Sequence, residues 1–179
     1  MVISGAQVGA DIAGLRAAKA CGIPTGGWMP KGFRTLNGPL DPAVVEEFGL
    51  SETESPGYPM RTEKNVVSSD ATIRLAHDWF SAGERLTLKL IEKHARPRLD
   101  VELRRIPGAK WSSGMGGFLG WSVKGAPLLE SRSHALNVAE WLNEQETVIL
   151  NIAGNGDESI ERFVEWFLTL VFINLQKMA

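Results

Sequence analysis

The residues best suited to chemistry lie in four short loops, each of which follows a predicted strand. The loops span residues 5–9, 26–32, 77–83 and 154–157, and all of them contain glycine. In a parallel sheet the carboxyl ends of the strands meet at one edge, and ligands bind outside that edge. Glycines that recur after successive strands therefore predict a shared anion site. Lys31 in the second loop could bring its ammonium group to this site, and a solvated surface lysine is the alternative.

The first loop connects a short apolar run at residues 2–3 to a predicted helix over residues 10–21. A strand, a glycine turn and a helix together present free backbone N–H groups and a partial positive charge to an anion. Gly5 and Gly9 do not meet the spacing of the dinucleotide fingerprint or of the P-loop. A phosphate held by backbone N–H groups of residues 5–11 is one interpretation. A plain tight connection between strand and helix is the other.

Side chains for catalysis or metal binding are sparse. His77, His94 and His134 are far apart, and neither HExxH nor paired-cysteine spacing occurs, so we expect no metal ligated by protein side chains. No serine lies in a GxSxG elbow. The carboxylates of Asp11, Asp70 and Glu63 could do acid–base work. Asp11 also suits a helix start, and Asp70 suits a turn before a strand. We assign no catalytic residue.

The totals are those of an ordinary globular protein. Hydrophobic residues make up 44% of the 179 residues and charged residues 22%, which predicts one domain with a substantial core. The net charge of −2 does not indicate the basic surface of a nucleic-acid-binding protein, so we expect no nucleic-acid partner. Cys21 is the single cysteine, which excludes an internal disulfide and favours a small buried hydrophobe. No secretion signal is recognised, so we expect a cytoplasmic protein.

Hydrophobic periodicity predicts strands that alternate with helices. The clearest strands are residues 2–3, 71–76, 97–103 and 147–152, and the predicted helices are residues 10–21, 41–48, 61–68, 84–94, 133–143 and 157–176. Such alternation predicts an α/β fold with a parallel sheet covered on both faces. We expect this single domain to span residues 1–179.

Residues 104–131 interrupt the alternation. This segment interleaves six glycines with Trp111, Phe118, Leu119 and Trp121. So much glycine argues against a regular element, whereas the aromatic residues argue against a purely solvated linker. We expect a long insertion that covers a ligand mouth or contacts a neighbouring subunit, and disorder is the alternative.

The last predicted helix, residues 157–176, is apolar on nearly every side. Its unbroken apolar part is too short for a membrane span, so we expect no membrane partner. A helix that is apolar all round is buried all round. One face can cover the sheet, and the other requires a second chain. The sequence therefore predicts a homo-oligomer through this helix, most simply a twofold dimer.

Several stretches, taken in order, resemble the putative molybdenum carrier family. They are ISGAQVGAD at 3–11, GIP at 22–24 with GGW at 26–28 and PKG at 30–32, RTE at 61–63 with NV at 65–66 and SD at 69–70, Ser81 and Gly83 with LTL at 86–88, and LNIAG at 150–154 with ES at 158–159. The family belongs to a Rossmann-like superfamily that also holds the cytokinin-activating phosphoribohydrolases and DNA-processing protein A. The resemblance implies a Rossmann-like three-layer fold and, as ligand, molybdenum cofactor or another nucleotide-like compound.

The sequence departs from the family's usual loops. The first loop is usually GGQTG, and here Ala6 and Val8 replace its second glycine and its threonine. The third loop is usually SGGT, and here Glu84 takes the place of the threonine, where an inward carboxylate would repel an anion. The phosphoribohydrolases carry PGGxGTxxE, and Lys89 falls at the place of their glutamate, which argues against hydrolase activity.

The loops and the resemblance together predict a carrier or binding protein for a phosphate-bearing small molecule, with molybdenum cofactor as the implied ligand. The predicted ligand-binding residues are Gly5, Gln7, Gly9, Asp11, Gly27, Lys31, Asn65, Asp70, Ser81, Gly83, Gly154 and Asn155. A nucleotide-processing hydrolase that uses Asp11 or Asp70 is the first alternative. The second alternative is a family member that binds no ligand. Whether the protein is an enzyme is left open.

Overall fold

A computed structural model describes residues 1–106, 120–124 and 128–179 of the chain. Its strands are β1 (Val2–Ser4), β2 (Thr25–Met29), β3 (Arg34–Thr35), β4 (Gly38–Pro39), β5 (Leu50–Glu52), β6 (Ala71–Ala76), β7 (Arg98–Arg105), β8 (Trp121–Val123) and β9 (Leu150–Gly154). Its helices are α1 (Ala10–Ala20), α2 (Pro42–Phe48), α3 (Tyr58–Val67), α4 (Ala82–Lys93), α5 (Leu128–Glu144) and α6 (Glu161–Met178). A short 3-10 turn, Glu158–Ile160, precedes α6.

The described strands form a seven-stranded sheet in the order β5-β2-β1-β9-β6-β7-β8 and a separate β3–β4 hairpin. All pairs in the large sheet are parallel except β7–β8, which is antiparallel. Helices α1, α5 and α6 pack together, and α3 packs with α4. This arrangement confirms the predicted Rossmann-like α/β fold with three layers and a mainly parallel sheet.

The sheet reverses its direction of growth at β1 and β6. The chain passes from β1 to β2 and β5 on one side, and then crosses to β6, β7 and β8 on the other. The last strand, β9, lies between β1 and β6 and pairs with both in parallel. Loops that leave β1 and β6 therefore diverge at the carboxyl edge, and such a switch point opens a crevice.

The C-terminal helix α6 packs against both α1 and α5. Its aromatic residues Phe163, Phe167 and Phe172 are buried, whereas Ile173 is exposed. Neighbouring helices of the same chain thus bury most of the apolar surface of α6, which the sequence analysis expected a second chain to bury. The homo-oligomer stays a prediction, and light scattering at micromolar concentration tests it, with a monomer counting against it.

The second loop differs from its prediction, because residues 25–29 form the regular strand β2 and only the residues after Met29 leave the sheet. The pattern Gly-Gly between prolines is typical of a loop. Here Gly27 has a φ of +136°, and a Cβ at this position would overlap the carbonyl oxygen of Ser4. Glycine is therefore the residue that permits the backbone of β2 to approach β1 so closely.

Several other boundaries are shifted, and two of the shifts are informative. Strand β9 begins at Leu150 rather than at residue 147, because Asp70 Oδ2 accepts hydrogen bonds from the Val148 and Ile149 N–H groups (3.1 and 2.7 Å) and holds them out of the ladder. The side chain of Val148 is accordingly 72% exposed. Helix α5 begins at Leu128, within the predicted insertion.

The predicted insertion over residues 104–131 is only partly described. Its first residues belong to β7, and Trp121–Val123 form the buried edge strand β8 against β7. Residues 107–119 and 125–127 lie outside the described part of the chain. In the part that is described, no helix combines the length and the apolar character that a bilayer span requires.

Replacing Gly27 by alanine should destabilise the fold, because a Cβ there overlaps Ser4 and strains the backbone. We expect Gly27→Ala to lower the free energy of unfolding by about 3 kcal/mol or more in urea titrations. Gly38→Ala is the matched control, since Gly38 also has a positive φ (+106°) but no atom within 4 Å of its Cβ position. The control should lose only about 1–2 kcal/mol. Equal losses for the two variants would show that the contact with Ser4 is unimportant.

Candidate functional site

A cavity of about 490 Å³ lies where the predicted crevice opens, at the carboxyl ends of β1 and β9 and between α3 and α4. This volume lies in the usual range for small-molecule sites, roughly 300–1,000 Å³. Part of the wall is apolar and is formed by Leu36, Tyr58, Pro59, Leu86 and Ile152. The polar part comes from the first loop, from α3, from the start of α4 and from the residues at the end of β9.

Seven of the predicted ligand-binding residues lie in the wall of this cavity. They are Gln7, Asp11, Asn65, Ser81, Gly83, Gly154 and Asn155. The other five do not line it: Gly5, Gly9, Gly27, Lys31 and Asp70. The structure therefore brings together the first loop, the third loop and the fourth loop of the prediction. It leaves the second loop outside the cavity wall.

The N–H groups of the first loop already have acceptors within the chain. Ala6 N–H donates to Ser4 Oγ (3.0 Å), Gln7 N–H to Asp11 Oδ2 (3.5 Å), Val8 N–H to Gln7 Oε1 (3.2 Å), Gly9 N–H to Glu161 Oε1 (2.9 Å) and Ala10 N–H to the Asn155 carbonyl (3.2 Å). Two of these acceptors are carboxylates. The described loop is thus the tight connection that was the alternative to a phosphate-binding turn.

Gly9 and Gly5 serve contacts within the protein. Gly9 has a φ of +94°, and a Cβ there would overlap the carbonyl of Asn155. The Cβ position of Gly5 is taken by the guanidinium group of Arg61. These glycines allow the turn after β9 and the Arg61 side chain to reach the first loop, rather than an anion to approach its backbone.

The two predicted asparagines are also engaged in positioning the backbone. Asn65 Oδ1 accepts from Trp28 N–H (2.9 Å) and its Nδ2 donates to Trp28 O (3.0 Å), which ties α3 to β2. Asn155 Oδ1 accepts from the N–H groups of His77 and Asp78 (2.8 Å each), and its Nδ2 donates to Asp78 O (3.0 Å). These side chains fix the loops that surround the cavity.

Lys31 and Asp70 lie away from the cavity for different reasons. Lys31 is exposed beyond the end of β2, where its backbone N–H donates to Ser55 O (2.8 Å). Asp70 precedes β6 and therefore sits at the amino edge of the sheet, opposite the cavity, bound to the segment before β9. The structure therefore assigns neither side chain to the polar wall.

Asp11 and Arg61 form a buried ion pair in the cavity wall. Their Oδ2 and NH1 atoms are 3.1 Å apart, and the side chains are 4% and 15% exposed. Burial raises the pKa of Asp11, and the Arg61 guanidinium partly offsets this shift. Arg61 Nε is buried and has no hydrogen-bond partner among the described residues.

Glu84 lies in the cavity wall, although from the sequence it was expected only to repel an anionic ligand. It is 2% exposed, and its Oε2 lies 3.5 Å from Arg74 NH1 without a hydrogen bond from any described residue. Burial raises the pKa of Glu84 to about 7, although the Arg74 guanidinium opposes the shift. The carboxylates of Asp11, Asp100 and Asp78 also raise this pKa.

Arg74 is shared between two acidic groups, which explains why it leaves Glu84 incompletely satisfied. Its Nε and NH2 donate to the two carboxylate oxygens of Asp100 (2.8 and 2.6 Å), and NH1 donates to the backbone carbonyl of Glu84 (3.2 Å). The bidentate geometry commits the guanidinium to Asp100. No sequence pattern could have indicated this network, because it joins residues of β6, β7 and α4.

The start of α4 faces the cavity, as does the start of α3 with Tyr58 and Pro59. Ser81 caps the helix by accepting from Glu84 N–H (3.3 Å), and Ser81, Ala82 and Gly83 line the wall. N–H groups in the first turn of a helix have no partners within the helix. The described residues contain no group of three or more His, Cys, Asp or Glu that could hold a metal ion.

The wall of the cavity is completed by the tip of the β3–β4 hairpin. Leu36 N–H donates to Gln7 Oε1 (2.8 Å), and the Leu36 side chain reaches the turn after β9 near Gly156. Gln7 Oε1 also accepts from Val8 N–H. The predicted site residue Gln7 therefore holds the hairpin over the cavity.

The raised pKa of Glu84 should make stability depend on pH. The folded protein binds the proton more tightly than the unfolded chain, so this stabilisation is complete below about pH 4.5 and is lost as pH rises through 7. We expect the free energy of unfolding to fall by about 2–3 kcal/mol between pH 5 and 8 in the wild type relative to Glu84→Gln. Glu92→Gln, which changes an exposed glutamate on the same helix, should follow the wild-type profile in urea titrations. Parallel profiles for wild type and Glu84→Gln would contradict this assignment.

The comparisons with known proteins agree with the fold. The chain matches the circularly permuted YpsA SLOG family over residues 2–122. A crystal structure of a putative molybdenum carrier protein from Syntrophus aciditrophicus SB is similar, with 30% identity and a TM-score of 0.72, over 96% of this chain and 93% of that chain. No curated protein matches the chain. The family match covers more than half of the sequence, and the chain belongs to the circularly permuted YpsA SLOG family.

Proposed function

We propose that this protein binds a phosphate-bearing small molecule in the cavity between α3 and α4 and acts as its carrier, with molybdenum cofactor as the ligand. The observation that carries the proposal is the pair of incompletely satisfied charged groups, Glu84 and Arg61, in the wall of one cavity of ligand size. A buried polar atom without a partner costs free energy, which a complementary ligand recovers. The similar protein from Syntrophus aciditrophicus is described as a putative molybdenum carrier, which supports the same ligand here.

The cavity suits a ring compound that bears polar substituents. Its apolar wall, which includes Leu36, Tyr58 and Leu86, offers flat and aliphatic surface to a ring. Molybdenum cofactor has a pterin-derived ring system and a phosphate group, and a nucleotide has a base and a phosphate group. Both fit a cavity of this volume and mixed polarity.

The phosphate group binds at the start of α4 rather than at the start of α1. The N–H groups of the first loop already have acceptors, two of them carboxylates, whereas Ser81, Ala82 and Gly83 present the first turn of α4 to the cavity. Arg61 lines the same cavity and supplies a guanidinium group whose Nε is unpartnered among the described residues. A helix N-terminus together with a guanidinium group favours an anion.

A nucleotide-processing hydrolase is the second candidate, because the cavity contains two buried carboxyl groups with raised pKa values. Burial raises the pKa of Asp11, and it raises the pKa of Glu84 to about 7, which suits a general acid at neutral pH. In this candidate the acids are Asp11 and Glu84. Asp70, which lies at the opposite edge of the sheet, has no part in it.

Gly83→Val tests where the phosphate group binds. The Cβ position of Gly83 has no atom within 4 Å, so a side chain there would enter open space in the cavity wall without disturbing the fold. We expect Gly83→Val to weaken the binding of guanosine monophosphate about tenfold or more in calorimetry, with an unchanged circular dichroism spectrum. Ala20→Val, at an exposed position of α1 outside the cavity, should bind like the wild type.

The same preparations separate the carrier from the hydrolase. Mass spectrometry should find a phosphate-bearing small molecule retained by the purified wild type and lost from Gly83→Val. Incubation with nucleoside monophosphates should leave them intact. Release of the base at enzymatic rates would overturn the carrier function in favour of the hydrolase. Unchanged binding by Gly83→Val would place the phosphate group elsewhere.

A further inference from the structure

The carboxyl group of Glu84, a residue of the cavity wall, has unused capacity to accept hydrogen bonds. The residue lines the wall and is 2% exposed, and the described residues donate no hydrogen bond to its Oε2. Arg74, its ion-pair partner at 3.5 Å, directs its hydrogen bonds to Asp100 and to the Glu84 backbone. The terminal torsion of a glutamate is soft, so the carboxyl group can turn toward a ligand at little cost.

Three hydroxyl and amide groups of the cavity wall already form hydrogen bonds within the protein. Thr87 Oγ1 donates to Gly83 O (2.9 Å), Thr62 Oγ1 donates to Tyr58 O (3.0 Å), and Asn151 Nδ2 donates to Thr72 Oγ1 (3.2 Å). Because of these contacts, the donor groups of the three side chains are directed at other atoms of the protein and not at a ligand. The ligand therefore meets an acceptor at Glu84, and it gains most if it brings N–H donors of its own.

The shape of the wall restricts which donors can reach this acceptor. Leu86 lies two residues after Glu84 on α4, and Pro59 and Tyr58 form the facing part of the wall on α3. A flexible ammonium group would gain little from these apolar surfaces. A planar ring would contact them with its faces and would present N–H groups at its edge. A carboxylate can accept two parallel N–H bonds from one such edge, as it does from a guanidinium group.

We infer that Glu84 is the specificity-determining residue of this cavity and selects an amino-substituted nitrogen heterocycle, binding the adjacent ring N–H and amino groups through its carboxylate. The pterin and guanine rings carry this edge, whereas the lumazine and hypoxanthine rings have lost the amino group. The inference rests on the proposed function, because both place the ligand in the same cavity. It assigns the ring to Glu84 and leaves the phosphate group to the start of α4.

Charged groups on several elements face Glu84 and set the sign of its pH dependence. They are Arg74 of β6, Asp100 of β7, Asp11 of α1 and Asp78 of the loop after β6. Because N–H donors bind the ionised carboxylate, ligand binding displaces the proton that the free protein holds near neutral pH. Affinity for an amino-substituted heterocycle should therefore rise between pH 6 and pH 8.

The test compares two ring compounds that differ in one substituent and contain no phosphate. Calorimetry with 6-hydroxymethylpterin and 6-hydroxymethyllumazine should give about tenfold or greater preference for the pterin in the wild type. Glu84→Gln should reduce the preference to within about threefold, because an amide cannot accept two parallel N–H bonds with one oxygen. It should also abolish the rise of affinity between pH 6 and 8. Glu92→Gln, at an exposed position of α4, should retain both the preference and the pH dependence.

Results that contradict the role of Glu84 differ from results that contradict the proposed binding function. Equal affinity of the wild type for the two rings, or a preference that survives in Glu84→Gln, overturns the inference. If the wild type nevertheless binds guanosine and inosine monophosphates equally well, the proposed binding function stands without it. If the wild type binds none of these compounds and retains no small molecule in mass spectrometry, both are overturned. A circular dichroism spectrum identical to that of the wild type ensures that Glu84→Gln reports on binding rather than on folding.

Discussion

The burial of charged groups at the carboxyl edge of the sheet is the constraint on which the rest of the structure depends. Asp11 is removed from water at the start of α1, where the guanidinium group of Arg61 from α3 is its ion-pair partner and the Gln7 N–H donates to it. Breaking such a pair leaves an uncompensated buried charge, which is far more costly than the pair itself is favourable. The pair thus holds α3 against the first loop. Arg74 of β6 likewise binds both β7 and α4 through its hydrogen bonds to Asp100 and to the Glu84 carbonyl. The cavity is the space between α3, held by the first pair, and α4, held by Arg74.

The loops around the cavity act mainly as a scaffold that brings the anchored regions together. Gly9 lets the first loop touch the turn after β9, and Asn155 from that turn holds the loop after β6. Asn65 makes the equivalent connection between α3 and β2. Because these side chains already form hydrogen bonds with the backbone, few polar groups of the cavity wall remain available to a ligand. Those that remain lie on α3 and α4. Rigid support of this kind is what positions a binding group accurately.

Local patterns predicted much of the fold, whereas the site depends on contacts that no local pattern contains. The strand at residues 71–76 was predicted with its observed bounds, and the helix predicted from residue 41 is α2, which Asp41 caps by accepting from Ala43 N–H (2.8 Å). Strand β2 was missed because the need for glycine at Gly27 comes from the backbone of Ser4, which is distant in sequence. The inward position of Glu84 likewise depends on Arg74, a residue of another element. Residue type alone placed Lys31 and Asp70 in the site, and strand polarity removes Asp70 from it.

The central position of β9 has a consequence for synthesis on the ribosome. Strands β1 and β6 do not pair with each other in the sheet, and each depends on β9, which is made after all the other strands. Before β9 has been synthesised, β1 and β6 lack the strand that joins them in the sheet, and the cavity lacks the wall residues that β9 supplies. Pairing over such sequence separations is slow and leaves edges exposed to aggregation. The sheet and the cavity of this protein therefore share one late requirement, the pairing of β9 with both β1 and β6.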